Sequence, residues 1–380
     1  MEDSVKAKEK KLDHYTTVIK VIGIGGAGCN AIDKMVSINL NGVEHWGVNT
    51  DAQALAICKT KNKILLARTL TSGLGAGGDP AIGLLAVREN IDKITKVIIG
   101  ADVIFLACGM GGGTGTGATP EIAKVAKDLG ILTIAVVTKP FLFEGTRRML
   151  QAQQGIETLQ ENIDALIVIS NSELLHNIHR KTCLQDAFKF ADDMLIQGVQ
   201  SIANMISTCG LINIDLADIK NIIQNSGLAL MGVGESERGA KEATQIAINC
   251  PLLETSIREG ATGIILNVAG SENLTLHEVH EAVNLIYELV GENTNIVFGT
   301  TCNPTLEDKI QVTIIATGLS KKLKNTESTT MTNFEETLGK LKVKREELIL
   351  KEVSSSTTMD KVRKMASEVF VIPDFLVQKK

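Results

Sequence analysis

Apolar residues fall in short runs that alternate with helical patterns through the first 170 residues. Six runs have the length and composition of buried strands: residues 17–22, 45–48, 64–66, 103–108, 132–137 and 165–169. Between them, apolar residues recur at helical spacing, for example over 81–91 and 122–129. Such alternation predicts a doubly wound parallel sheet that binds its ligand where the strands end.

A longer helical pattern follows, from a capping-box sequence at Thr182 to Gly210. A helix of this length would be a rod of about 40 Å, enough to cross one domain and reach the next. Beyond it, helices are predicted over 241–248 and 276–290 and strands over 263–268, 295–298 and 312–316. The predicted fold class is therefore α/β: a doubly wound parallel-sheet nucleotide-binding domain joined by a long central helix to a smaller α/β domain, with a flexible C-terminal tail.

Composition changes at both ends of the chain. From residue 319 the sequence is rich in Lys, Glu, Ser and Thr, as in a solvated linker, and apolar residues return over 369–377 as a candidate docking peptide. We expect six segments: an N-terminal extension (1–15), a nucleotide-binding domain (16–181), the central helix (182–210), a second α/β domain (211–318), a linker (319–368) and a partner-binding tail (369–380).

The charge distribution excludes some classes of partner. The net charge is −5, but residues 319–380 hold 13 basic and 9 acidic groups, so the rest of the chain carries −9. The acidic charge of residues 1–318 argues against nonspecific nucleic-acid binding, and a content of 3% aromatic residues leaves few side chains for base stacking. Seven widely spaced cysteines without a C-x-x-C pair indicate buried thiols in a reducing compartment. With no apolar stretch near the roughly 18 residues of a membrane span, we expect a cytoplasmic protein.

Glycine-rich segments follow three of the predicted strands, at 23–28, 73–80 and 109–117. Six of the nine residues in 109–117 are glycine, and after Ala118-Thr119-Pro120-Glu121 a helix is predicted from the apolar spacing that begins at Ile122. Successive backbone N–H groups in such a loop can close around a phosphate, and a helix start adds partial positive charge. It is not the common P-loop, because it has no lysine. The alternative is a glycine-rich turn that only serves packing.

The first glycine segment also fits a different function. Residues 23–28 match G-x-G-x-x-G before a helix that we expect to start near Asn30, and Asp51 follows about 20 positions later, as in a dinucleotide-binding fingerprint. A nicotinamide-dependent dehydrogenase is therefore an open alternative, and Asp51 could equally be a helix cap. A dinucleotide-binding fingerprint needs only one glycine loop, whereas a nucleotide whose phosphates contact the protein on several sides would use all three.

Several polar residues have two interpretations. Asp215 and Asp218 flank a helix start, where acidic caps are common. Phe188 and Asp192 lie one turn apart near the start of the long helix, where the ordinary interpretation is a core aromatic and a solvated carboxylate. The pairs His176/His179 and His277/His280 lack matching ligands, so no metal site is predicted from them.

Taken together, these segments resemble the tubulin/FtsZ family of polymerising GTPases, its bacterial cell-division members in particular. The resemblance covers roughly residues 18–318 plus 372–376. The matching motifs are G-G-G-T-G-T-G at 111–117, the glycine segments at 23–30 and 73–80, N-T-D at 49–51, K-P-F-x-F-E-G at 139–145, N-x-D-x-x-D at 213–218 and P-L-L-E at 251–254.

The resemblance implies that the ligand is GTP or GDP. It assigns the phosphates to the glycines of 25–28 and 109–117 with Thr114 and Thr116, the ribose and phosphates to Glu144 and Arg148, and guanine to Asn171, Phe188 and Asp192. The full set of implied nucleotide-binding residues is Gly25, Gly26, Gly28, Asn30, Asn49, Asp51, Gly77, Gly109, Met110, Gly111, Gly112, Gly113, Thr114, Gly115, Thr116, Gly117, Glu144, Arg148, Asn171, Phe188 and Asp192.

The resemblance also implies how the reaction is completed. In the family, Asp215 and Asp218, with Asn213 beside them, act on the GTP of the next subunit in a head-to-tail filament, with Mg2+ as the accompanying ion. The filaments form the division ring at mid-cell, and the tail docks onto membrane-tethering partners such as the actin-like FtsA. The implied tail contacts are Ile372, Pro373, Phe375 and Leu376.

The sequence departs from the family pattern at three places. Cys29 stands where Asn or Gly is usual, Gly78-Asp79 replaces Ala-Asn, and Ser172-Glu173 follows Asn171 where Asp and a basic residue are expected. The first two lie on the phosphate side and the third on the base side. A nucleotide-binding scaffold that no longer hydrolyses GTP keeps the same loops, so only activity distinguishes it from the GTPase.

Overall fold

The computed structural model describes residues 17–38, 42–172, 182–207, 212, 214–249, 257, 261–271, 273–290, 294–303 and 306–318. All of them belong to one compact unit. The predicted N-terminal extension, the linker and the tail with Ile372, Pro373, Phe375 and Leu376 lie outside the described residues, as do Asn213 and the pair His176/His179.

Strands and helices alternate along the chain. The elements up to residue 170 are β1 (Ile19–Ile24), α1 (Gly25–Ile38), β2 (Val43–Asn49), α2 (Ala52–Ile57), β3 (Asn62–Leu65), α3 (Arg68–Thr71), α4 (Pro80–Glu89), α5 (Ile91–Ile98), β4 (Val103–Gly109), α6 (Thr114–Asp128), β5 (Leu132–Lys139), a 3-10 turn (Leu142–Glu144), α7 (Thr146–Glu161) and β6 (Ala165–Ser170). The remainder are α8 (Leu184–Ser207), α9 (Leu216–Ile223), β7 (Gly227–Ser236), α10 (Ala240–Ile248), β8 (Gly263–Gly270), α11 (Leu276–Leu289), β9 (Asn295–Cys302) and β10 (Ile310–Thr317).

The strands form one ten-stranded sheet in the order β3-β2-β1-β4-β5-β6-β7-β10-β8-β9. The first six strands are parallel, and their order is that of doubly wound nucleotide-binding folds. Strand β7 continues the sheet, pairing parallel with β6 and antiparallel with β10. The predicted α/β class with a mostly parallel sheet is confirmed. The domain boundaries stay a prediction.

Both faces of the parallel sheet are covered by helices. One face packs against α1 and α8 through residues such as Phe105, Val136 and Leu195. The other packs against α4, α6 and α7 through residues such as Leu106 and Ile122. Because both faces are buried, the strands read as nearly continuous apolar runs, which is why the sequence reveals them. A third cluster lies under α10 and α11 in the second half of the chain.

The long helix α8 covers Leu184–Ser207, and its predicted end at Gly210 lies outside the described residues. It packs against β4, β5, β6 and β9, so it contacts both halves of the sheet. A Cβ on Gly198 would lie 2.8 Å from Val136 Cγ1, so the absence of a side chain there lets the helix approach the sheet closely.

Two predicted helix starts are wrong. Helix α1 begins at Gly25 rather than near Asn30, and α6 begins at Thr114, inside the glycine segment 109–117 rather than after it. Glycine has low intrinsic helix propensity, but packing overrides it here. A Cβ on Gly115 would lie 2.5 Å from Gly109 O, so this turn of helix fits only with glycine against the preceding loop. Strand β7 and helices α3, α5 and α7 are additions that the sequence pattern does not predict.

The cysteine expectation holds only in part. Cys29, Cys58 and Cys108 are buried, and burial raises the pKa of the Cys29 and Cys108 thiols to about 12. The expectation is wrong for Cys183 and Cys302, which are exposed. Within the described ranges, no helix has both the length and the hydropathy needed to span a membrane.

Candidate nucleotide site

The glycine segments and several strand ends meet at the carboxyl edge of the parallel strands. A Cβ on Gly25, after β1, would lie 3.2 Å from Gly115 N in α6. A Cβ on Gly113 would lie 2.8 Å from Ala76 Cβ, in the glycine segment at 73–80. A Cβ on Gly111 would lie 2.8 Å from Arg148 O. The structure thus brings the segments at 23–28, 73–80, 109–117 and 140–148 together around one edge.

The start of α6 is the centre of this edge. Gly111 has φ +93°, a left-handed conformation that glycine adopts without strain, and its N–H donates to Thr116 Oγ1 at 2.8 Å. Met110 N donates to Thr138 O at 2.9 Å, which ties the loop to the end of β5. The first N–H groups of a helix have no acceptor in the helix itself and carry partial positive charge. The loop and helix start together make an anion-binding edge.

The predicted glycines fall into two groups by what surrounds them. Gly28, Gly109, Gly111, Gly113, Gly115 and Gly117 are packing positions, where a Cβ would lie within 3 Å of protein atoms, and Gly25, at 3.2 Å from Gly115 N, is close to them. Gly26, Gly77 and Gly112 are open positions, where a Cβ would have no protein atom within 4 Å. The open glycines leave space beside their backbone N–H groups, as a cradle for a phosphate requires.

The hydroxyls of the two predicted threonines in α6, Thr114 and Thr116, are already in contact with protein. Thr116 Oγ1 accepts from Gly111 N, and Thr114 Oγ1 lies 2.7 Å from Thr50 Oγ1. Thr116 can still donate its own hydrogen, and Thr114 can donate its hydrogen elsewhere only if it accepts from Thr50. The predicted contact from these threonines to a phosphate therefore stays a prediction.

At the end of β2, the predicted residues serve the local backbone. Asp51 caps α2, because its Oδ1 accepts from Gln53 N at 2.8 Å and Ala54 N at 3.1 Å. Buried Asn49 accepts from Asp51 N at 3.2 Å. The structure thus shows the cap interpretation of Asp51. Asn30 is exposed on the first half of α1.

Glu144 and Arg148 lie together after β5. They form an ion pair one helical turn apart, and Glu144 Oε1 also accepts from Phe141 N at 2.9 Å. Ser172, one of the three departures from the family pattern, supports the same turn, because its hydroxyl accepts from Leu142 N at 3.1 Å. The two predicted side chains are therefore brought together, next to the backbone of Gly111.

The predicted base-reading residues also occupy this edge. Phe188 on α8 packs edge-on against Phe141, with ring centroids 5.3 Å apart, and is 40% exposed rather than a core residue. Asn171 is buried at the end of β6, and none of the described residues donates to its Oδ1. An orphaned buried acceptor is costly for a protein unless a ligand satisfies it. Guanine, with donors at N1 and N2, fits that need.

Asp192 is the most perturbed carboxylate of the site. Burial raises its pKa to about 6, partly offset by Lys34, whose Nζ lies 3.8 Å from Asp192 Oδ2 and 2.9 Å from Asp193 Oδ1. Burial without a full charge partner is typical of functional carboxylates. The solvated-face interpretation of Asp192 is thus wrong.

Sequence reasoning missed two residues of this region. Lys34 lies one turn after Asn30 on α1 and pairs with Asp192, and Phe143 stacks on Phe141 with centroids 5.0 Å apart. Helical spacing from Asn30 could have revealed Lys34. Phe143 lay within a recognised motif but has 59% of its surface exposed, which is unusual for phenylalanine.

The predicted catalytic carboxylates lie elsewhere. Asp215 caps α9, accepting from Asp218 N at 2.8 Å, and both side chains are exposed. Helix α9 packs against β8 and β9. Five strand spacings separate β4 from β8, and at about 4.8 Å each this is roughly 24 Å. The structure does not bring Asp215 and Asp218 to the nucleotide edge of their own chain.

Comparisons with known proteins agree with this geometry. The tubulin/FtsZ family GTPase-domain model matches residues 18–179, and the FtsZ family C-terminal-domain model matches residues 227–320. A solved FtsZ dimer, empty, from M. jannaschii is 41% identical, covering 84% of this chain and 93% of that chain, with a TM-score of 0.79. The chain belongs to the tubulin/FtsZ family. A tryptophan-to-tyrosine mutant of FtsZ from M. jannaschii is 42% identical, covering 83% of this chain and 96% of that chain, with a TM-score of 0.78.

A more distant structure shares the tubulin/FtsZ fold. CetZ1 from Haloferax volcanii, a GDP-bound monomer, is 22% identical and covers 80% of this chain and 94% of that chain, with a TM-score of 0.69. At this identity the likeness concerns the fold alone. Membership of the tubulin/FtsZ family, with its GTPase domain, makes the chain a cytoskeletal GTPase that binds guanine nucleotides.

Proposed function

We propose that the chain assembles head to tail and hydrolyses GTP at the junction between two subunits. The observation that carries the proposal is the separation of roughly 24 Å along the sheet between the phosphate loops at β4 and the strand β8 on which α9 packs. Exposed carboxylates that cannot reach their own nucleotide can reach that of a neighbour. Heterologous contacts of this kind do not close and give open filaments. The similar FtsZ from M. jannaschii was solved as a dimer.

The proposed active site would be made from two separate surfaces of the chain. On one, the open glycines and the start of α6 hold the phosphates, while Asn171 and Asp192 accept from guanine. On the other, Asp215, fixed as the α9 cap, and Asp218 orient the attacking water, with Asn213 beside them. Phosphoryl transfer needs mainly such positioning and charge stabilisation.

Mg2+ is part of this proposal. In phosphate sites it is held by one or two carboxylates and the phosphates themselves, and it stabilises negative charge there. In the part of the chain that the structure describes, no group of three or more His, Cys, Asp or Glu side chains could hold a metal ion. The phosphates would therefore supply much of the coordination.

The dehydrogenase alternative has no support from the comparisons, which match GTPase-domain and FtsZ proteins. The residue on which it depends, Asp51, uses Oδ1 to cap α2. A dinucleotide site would need that carboxylate at the ribose. We therefore do not propose it.

The concentration dependence of hydrolysis tests the proposal. We expect the GTPase rate per molecule to stay near zero below a threshold concentration and to rise above it, because single subunits lack half of the site. Asp218→Ala should bind GTP as the wild type does and lose turnover by about 100-fold or more, as for other positioning groups. A rate per molecule that is constant with dilution would contradict catalysis between subunits.

We also propose that residues 372–376 dock onto a membrane-tethering protein such as FtsA and bring cytoplasmic filaments to the mid-cell division site. The support is an apolar cluster at the end of a polar segment, which is typical of a docking peptide. Deleting residues 372–380 should leave assembly measured by light scattering intact and abolish tether binding. A loss of assembly would contradict the docking role.

A further inference from the structure

Thr50 lies between the glycine segments without belonging to any of them. It is fully buried at the end of β2, and its hydroxyl lies 2.7 Å from that of Thr114, the first residue of α6. Its carbonyl accepts from Gly75 N at 3.2 Å and from Thr71 Oγ1 at 3.3 Å. One residue thus joins β2, the segment at 73–80 and the start of α6.

The direction of the hydroxyl pair follows from what a phosphate can accept. Two hydroxyls that bond to each other use one hydrogen between them and leave the acceptor's hydrogen available. Phosphate oxygens only accept. Thr114 can therefore donate to a phosphate only when it accepts from Thr50. The reverse orientation spends the Thr114 hydrogen on Thr50.

We propose that Thr50 is a positioning residue for nucleotide binding: it donates to Thr114 Oγ1 and so directs the Thr114 hydrogen to the phosphate. The inference rests on the proposed role of Thr114 at the phosphates. Consecutive hydrogen bonds of this kind polarise one another, so the Thr114 bond to the phosphate is strengthened as well as oriented. Because both threonines are at least nine-tenths buried, water does not readily replace the missing donor.

The test is GTP affinity, measured by calorimetry on the full chain with Mg2+. Thr50→Val keeps the shape and removes the hydroxyl, and we expect affinity to fall about 10-fold, the effect of one buried hydrogen bond. Thr114→Val should weaken binding at least as much, and the double variant should be no weaker than Thr114→Val alone, because Thr50 acts through Thr114. Additive losses would overturn the proposal.

A matched pair covers the case in which Thr50→Val does not fold. Thr50→Ser and Thr50→Ala both lose the methyl group and differ by the hydroxyl, so Ser should bind GTP about 10-fold more tightly than Ala. Equal affinities would mean that Thr50 only packs. Thr244→Val is the control: Thr244 is fully buried, its hydroxyl donates within α10 to Ala240 O, and its loss should leave affinity unchanged. Failure of the wild type to bind GTP would instead overturn the proposed function.

Discussion

At the scale of single residues, Asp192 combines a structural cost with a proposed binding role. Its carboxyl is largely buried, and Lys34 at 3.8 Å offsets only part of the burial, so its pKa rises to about 6. Only the ionised form accepts two hydrogen bonds from guanine. The group that we propose reads guanine is therefore also the one that resists ionisation in the empty protein.

This gives a pH dependence of GTP affinity. With a pKa of about 6, lowering the pH from 7 to 5 should weaken GTP binding about 10-fold, because the protonated side chain must release its proton first. Titration calorimetry across this range measures the change. Asp192→Asn should bind weakly and independently of pH. An affinity of the wild type that does not vary between pH 5 and 7 would contradict the role.

The same pKa affects stability with the opposite sign to an ordinary ion-paired carboxylate. The folded-state pKa is raised, so the folded protein binds the proton more tightly than the unfolded chain. The stabilisation is fully present below pH 4 and is lost as pH rises through 6, by about 3 kcal/mol at most. Denaturant unfolding of wild type and Asp192→Asn, compared at pH 4 and pH 7, isolates this contribution. A difference that does not change with pH would argue against a perturbed Asp192.

At the scale of elements, the glycine segments show where sequence reasoning succeeds. Strands β1 and β4, which precede two of the segments, are predictable because burial on both faces leaves nearly continuous apolar runs. That the glycine segments meet at one edge of the sheet is also predictable, because the carboxyl ends of parallel strands lie at the same edge. The helix starts are not predictable, because glycine density indicates a loop whereas Gly115 and Gly117 lie inside α6, held there by contacts with Gly109 and Pro80.

Strand β7 was missed for a related reason. It contains Gly232 and Gly234, which weaken a strand pattern in the sequence. A Cβ on Gly234 would lie 2.0 Å from Ala243 O, so the glycine is there because α10 crosses the strand closely. Likewise, the sequence indicates Asn49 and Asp51 as candidate binding residues, but only the three-dimensional structure shows that Thr50 between them contacts α6. Contacts across long sequence separations are absent from any local pattern.

The division of glycines into open and packing positions can be tested by alanine substitution. Gly26 is exposed in the first turn of α1 with no protein atom within 4 Å of a Cβ, so Gly26→Ala should leave stability unchanged or raise it by up to about 1 kcal/mol. Its methyl group would occupy the phosphate side, and GTP affinity should fall at least about 10-fold, roughly the loss of one hydrogen bond. Thermal unfolding and calorimetry measure the two effects separately.

Gly117→Ala is the matched contrast. Its Cβ would lie 1.9 Å from Pro80 O, so α4 and α6 must separate, at a cost of about 3 kcal/mol. The free energy of unfolding should fall in Gly117→Ala and should not fall in Gly26→Ala. If Gly26→Ala binds GTP as tightly as the wild type, the space beside Gly26 does not receive the phosphates.

At the scale of the whole molecule, the sheet itself separates the two halves of the proposed active site. In the order β4-β5-β6-β7-β10-β8, four strands lie between β4, which carries a phosphate loop, and β8, on which α9 packs. Helix α8 packs on one face of this part of the sheet. These strands are paired with one another and share a continuous core, which leaves no route for α9 to fold back onto the loops. A rigid connection of this kind supports the proposal that a second subunit supplies the carboxylates.

Complementation between two inactive variants follows from this arrangement. Asp218→Ala keeps the GTP-binding edge and lacks a catalytic carboxylate, whereas Asp192→Ala keeps Asp218 and lacks the base contact. Each alone should be nearly inactive. Mixed in equal amounts, about one junction in four joins a competent GTP edge to intact carboxylates, so roughly a quarter of the wild-type rate should return at the same total concentration, as expected for a heterologous contact. Phosphate release measured over a range of mixing ratios should be greatest near equal amounts.

The control is a chain carrying both substitutions, which should restore no activity to either single variant. If the mixture gives only the sum of the two separate rates while both variants still associate, the carboxylates of α9 do not act across a junction.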